Sequence, residues 1–124
     1  MTELDPVVPA IATALGVGAL IGFEREKSAA EDAAATAEPA AGVRTFALVA
    51  LAGVLSAIVG AWLVVAGLVA VAAYGVASHA RAGRQEAGLT SEIALLVTFL
   101  LGALAAARPA VAAGVGVIVA LLLA

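Results

Sequence analysis

Residues 45–78 form an unbroken run of 34 positions without Asp, Glu, Lys, Arg or His. As a single helix this run would be about 51 Å long, whereas a bilayer hydrocarbon core is only about 30 Å thick. It therefore predicts two consecutive helices, and the natural break is Gly60-Ala61-Trp62: Gly permits a tight turn and Trp prefers a membrane–water interface. So long an apolar stretch must be buried on every side or dissolved in lipid. A chain of 124 residues, 65% hydrophobic and 12% charged, lacks the polar residues to wrap such a core for water. Soluble domains are about 45–50% apolar and about 25% charged. Lipid is the solvent that makes this composition workable.

The remaining chain divides at its charges. An apolar run from Val7 to Phe23 meets Glu24, Arg25, Glu26 and Lys27, and an Ala-, Glu- and Thr-rich stretch with Pro39 and Gly42 follows. The acidic residues Glu3 and Asp5 precede the first run, the opposite of a cationic signal-peptide start, so a retained span is expected. His79 to Gly88, with Arg81, Arg84 and Glu86, forms a second polar loop, and Arg108-Pro109 marks a short turn that places Pro at the first position of a helix. The expected fold is an all-α, polytopic transmembrane helix bundle of about five spans, near 7–23, 45–60, 62–78, 89–106 and 109–124. A mobile polar loop is expected over about 27–42. The closing Leu-Leu-Leu-Ala124 has no polar anchor, as expected of a chain that continues.

Loop arginines give the orientation. With five crossings, Arg25, Lys27, Arg44, Arg81 and Arg84 fall on one side and only Arg108 on the other. Positive residues favour the cytoplasm, so the N-terminus is expected outside and the C-terminus inside, in a multi-pass protein of the cell membrane. Four crossings would erase that bias.

Composition also excludes function classes. There is no cysteine and a single histidine, His79, so thiolate sites, disulfides and His-rich metal clusters are absent from the sequence. A net charge of −3 leaves no basic footprint for nucleic acid. No nucleophile–base pair or phosphate loop is recognisable, so no enzyme activity, catalytic residue or cofactor is expected. His79, Tyr74 and Trp62 read as interfacial anchors.

Chemistry is concentrated where spans one, two and four end on the cytoplasmic side. Glu24, Arg25 and Glu26 close the first span, Arg44 and Thr45 open the second, and Thr90, Ser91 and Glu92 open the fourth. In a compact bundle these meet at one level, as a polar cluster able to bind a cation or relay protons. The plainer reading is structural: Thr90 as an N-cap with Glu92 in the first turn, and Arg25, Lys27 and Arg44 as topology anchors. Ala14, Gly18, Gly22, Gly53, Gly67, Gly75 and Gly114 supply small residues for close helix approach, first within the bundle and alternatively in a homodimer seam.

Three of these segments carry a family resemblance. Gly18-Ala-Leu-Ile-Gly22-Phe-Glu24-Arg-Glu26, Ala41-Gly-Val-Arg44-Thr-Phe-Ala-Leu-Val-Ala50 and Gly88-Leu-Thr-Ser-Glu92-Ile-Ala94 are similar, in order, to the signature segments of the MgtC/SapB family of bacterial and archaeal membrane proteins. The resemblance implies an N-terminal membrane domain of about five helices, and the Thr-Ser-Glu92 form resembles a divergent branch whose members carry a second membrane domain. Two functions follow as expectations. One is a subunit or half of an ion or small-solute transporter, completed by a homo-oligomer or a second membrane domain. The other is a magnesium-linked regulator that binds another membrane complex through small-residue faces such as Gly18 and Gly22.

Overall fold

Gly60 alone separates two helices, as the sequence expects: its N–H donates to Ser56 O at 3.0 Å, and its own carbonyl accepts from Leu63 N–H at 3.0 Å. One chain direction is thus closed and the next opened within a single residue, and the turn leaves Trp62 67% exposed. Pro109 likewise opens a helix with its missing N–H at a position that needs none, while the Arg108 carbonyl accepts from Ala112 N–H at 3.0 Å.

The computed structural model describes the backbone of residues 6–31, 42–82 and 86–124, and the side chains of residues 6–27, 42–77 and 92–124. These residues form five α-helices and no strand: α1 Val7–Glu31, α2 Val43–Val59, α3 Ala61–Ala82, α4 Glu86–Ala107 and α5 Pro109–Leu123. The helices overrun the apolar spans at the charged end. Glu24 to Lys27 do not stop α1, because Ala, Glu and Lys are good helix formers and the helix continues to Glu31. Of the loop expected over 27–42, residues 27–31 are therefore helical and residues 32–41 lie outside the described residues. The second polar loop shrinks in the same way: α3 runs on to Ala82 and α4 begins at Glu86, with 83–85 outside the description. Thr90 is accordingly no N-cap, since four helical residues precede it, and Glu92 lies in the second turn rather than the first.

Side-chain neighbours fix the direction of each helix. Gly22 faces Val43 while Gly18 faces Ala50, so α1 and α2 are antiparallel. Gly67 faces Phe99 and Gly75 faces Glu92, so α3 and α4 are antiparallel too. Phe46 shares one buried cluster with Leu95, and Val54 another with Ala105, so α2 and α4 run parallel. By the same logic α5 runs parallel to α1, with Ala112 beside Ala10 and Ala14, and Gly116 against Val17. The chain alternates up and down at every connection.

Helix α4 touches all four others. Helix α3 rests on α2 and α4, α5 rests on α1 and α4, and among the described residues α3 and α5 do not meet. The centre is a triangle of α1, α2 and α4 packed through glycines. A Cβ on Gly53 would collide with Phe99 O, and one on Gly102 with Ala50 O. A Cβ on Gly18 would stand 2.6 Å from Phe46 O. Small residues at these points let backbones approach where lipid offers no hydrophobic drive between helices. Gly114 departs from the expectation: nothing lies within 4 Å of its Cβ position, and the inward glycine of α5 is Gly116. Large apolar residues cover the outside instead, including Val65, Val69, Val76, Ile118, Leu121 and Leu122.

Candidate functional site

The alternating helix directions collect charge at one end. Glu24, Arg25, Glu26 and Lys27 of α1, Arg44 of α2 and Glu92 of α4 all lie beyond the buried cluster of Ile21, Phe46, Ala94 and Leu95. Arg108 is the one described charged side chain at the opposite end. Between the two ends the described side chains include no Asp, Glu, Lys, Arg or His. The buried polar side chains there are hydroxyls: Thr98 donates to Ala94 O at 2.7 Å within its own helix, and Ser56, in the last turn of α2, is buried near Gly67.

At the charged end each residue has its own environment. Glu24 is half-buried, one helical turn past Ile21, and its Oε1 is buried without a hydrogen-bond donor among the described residues. Arg25 is half-buried and Lys27 exposed. Glu26 is exposed, yet its Oε2 accepts the backbone N–H of Val43 at 3.1 Å and so ties α1 to the first residue of α2. Arg44 is exposed and Thr45 half-buried in that first turn. Glu92 is half-buried against α3, where its Cγ and Cβ lie 3.2 and 3.4 Å from the Cβ position of Gly75. Both Arg25 and Glu92 have interaction partners.

The ends of α1 and α2 therefore meet directly, and Glu92 joins that end of the bundle from α4. The side chains of Thr90 and Ser91, like those of His79, Arg81, Arg84 and Glu86, lie outside the described residues. Sequence reasoning missed two participants. Gly75 of α3 provides the surface on which Glu92 rests, and Gly42 leaves the space that the Glu26 carboxylate occupies. Gly42 could have been suspected from its position two residues before Arg44, whereas Gly75 lies within the uncharged run, and a glycine announces a close approach without naming what approaches. Among the described residues no three His, Cys, Asp or Glu side chains come together as a metal-holding group.

An all-helical bundle with an apolar exterior and charge gathered at its ends is the architecture of a membrane-associated protein. One helix, over Val7–Lys27, is long and apolar enough to cross a membrane, and the other apolar helical stretches among the described residues are shorter. Residues 11–124 match the model of the MgtC family, and the chain belongs to that family. Membership links it to membranes and to magnesium or ion physiology. No curated protein and no solved structure matches it.

Proposed function

We propose that the chain is a multi-pass protein of the cell membrane whose five helices all cross, and that it acts without enzymatic chemistry as a subunit or half of an ion or small-solute transporter. The observation that carries this reading is the gathering of charge at one end, with the Glu24 Oε1 oxygen buried and without a donor among the described residues. A buried carboxylate oxygen is costly to leave without a partner, and a cation is a partner of the fitting charge. Glu24, Arg25, Glu26, Arg44, Thr45, Thr90, Ser91 and Glu92 form the proposed polar cluster, on the cytoplasmic side with the C-terminus, while the N-terminus faces outward.

The tightness of the core supports a subunit rather than a complete carrier. Gly18, Gly53 and Gly102 leave no room for a methyl group between α1, α2 and α4, so the centre of one chain is not a passage. A pathway then runs along a face shared with a second copy or a second membrane domain, as in transporters built from paired repeats. Reconstitution into liposomes, with sodium, potassium and magnesium as probe ions, tests this. The wild type is expected to conduct at least one of them above empty liposomes, and Glu92→Gln and Glu24→Gln to fall toward background. Equal background flux in all three proteins would overturn the transporter reading.

A second reading, a regulator of another membrane complex, draws on Gly16 and Gly114. Both Cβ positions open outward from helices that touch each other, whereas Gly18 and Gly22, the expected partner surface, are occupied by α2. That reading requires Gly16→Leu or Gly114→Leu to abolish capture of a membrane partner that Glu92→Gln retains.

A further inference from the structure

Residues Gly18, Gly22 and Glu26 recur at four-residue spacing and lie along one face of α1. That face meets α2 throughout. A Cβ on Gly18 would stand 2.6 Å from Phe46 O, and one on Gly22 2.6 Å from Val43 Cα and 3.1 Å from Gly42 O. One turn further, the Glu26 carboxylate accepts the Val43 N–H. Among the described residues the start of α2 has no other side-chain cap: Gly42 contributes no side-chain bond, and the first turn contains no acidic residue. It does contain Arg44, a cation at the positive end of the helix dipole, where a carboxylate is the favourable neighbour. Gly42 itself has φ −119° and ψ −163°, extended backbone open to any residue, so flexibility is not what glycine provides there. It provides space, since a Cβ at Gly42 would collide with Glu26 Oε2.

We propose that Glu26 is a positioning residue, the closing element of a clasp in which the two glycines of α1 bring its carboxylate onto the N-terminus of α2 and Gly42 leaves it room. The clasp sets where Arg44 and Thr45 stand, so that Glu26 belongs to the cluster as the group that positions its neighbours. It joins the first two signature-like segments physically: their small residues and their acid act on each other across residues 32–41. The consequence for Arg44 rests on the polar cluster proposed above; the clasp itself does not.

Amide hydrogen exchange at Val43, followed by NMR on the full chain in detergent, tests the clasp without reference to transport. Loss of a helix-capping acceptor in Glu26→Ala should speed Val43 exchange about tenfold. Glu26→Gln keeps an acceptor oxygen and should remain slower than Glu26→Ala. Gly42→Ala leaves the acid intact but places a methyl group on its oxygen, and should speed exchange as Glu26→Ala does. Unchanged protection at Leu95 and Phe99 of α4 reports an intact bundle in each variant. Wild-type exchange at Val43 in Glu26→Ala or in Gly42→Ala overturns the proposal, as does Glu26→Gln exchanging as fast as Glu26→Ala. Should Glu26→Ala fail to fold, Gly42→Ala and Glu26→Gln carry the comparison. In the flux assay, a positioning role predicts a smaller loss in Glu26→Gln than in Glu26→Ala and Gly42→Ala. Loss in Glu26→Gln equal to that in Glu92→Gln would make Glu26 a ligand instead. If the wild type moves no ion, the transporter reading fails and the exchange result still decides the clasp.

Discussion

Gly102 and Gly114 stand in consecutive helices and face opposite surroundings. Gly102 lies against the Ala50 backbone, with Ala50 C at 2.9 Å and Cα at 3.0 Å from its Cβ position, while Gly114 has open space. Adding a methyl group should therefore have opposite signs at the two sites. Gly102→Ala forces two backbones apart, an overpacking that costs about 1–3 kcal/mol. Gly114→Ala meets nothing and relieves the entropic penalty of a mid-helix glycine, a gain of roughly 0.5–1 kcal/mol. Unfolding in mixed micelles, titrated for both variants beside the wild type, reads the two shifts; equal destabilisation at both would contradict the packing. The sequence could not separate them. Every residue of α5 after Pro109 is apolar or glycine, so no polar stripe tells which side faces inward, and Gly114 and Gly116 look alike until a neighbour is present.

Helix α3 is held differently from α1, α2 and α4. Its described contacts include two glycine seats, the Phe99 ring on Gly67, with Cζ at 2.5 Å from the Cβ position, and the Glu92 stem on Gly75; much of the rest of its surface is exposed apolar side chain. Gly67→Leu must expel a fully buried ring, and the expected result is selective release of α3. Exchange protection should fall across residues 61–77 and persist in the α1–α2–α4 triangle. Uniform loss over all helices would instead make α3 integral to the core. Elements bounded by strong punctuation were readable from the sequence: Gly60 and Pro109 sit where expected because each changes what the backbone can do. The ends of α1 and α4 were not, because apolar content and helix formation are separate properties. The Ala-, Glu- and Lys-containing stretch after Phe23 stops being apolar without ceasing to favour helix, and the segment from Glu86 enters α4 before its apolar part begins.

At the scale of the molecule, alternating directions place Lys27 and Arg44 at one end and Arg108 at the other. The location of the candidate site was legible, since charged residues flanking apolar runs are brought together by any alternating bundle of five helices. Its internal wiring was not: the Glu26 bond to Val43 and the seat of Glu92 on Gly75 depend on helix rotation, which hydropathy does not encode. The account stands on all five helices crossing the membrane with the charged end in the cytoplasm. Because the chain has no cysteine, single-cysteine variants can be labelled without background. Lys27→Cys, Arg44→Cys and Arg108→Cys, treated in intact cells and in inverted membrane vesicles with a membrane-impermeant maleimide, measure it directly. The prediction is that Arg108→Cys reacts in intact cells, and that Lys27→Cys and Arg44→Cys react only in inverted vesicles. Labelling of all three from the same side would contradict it.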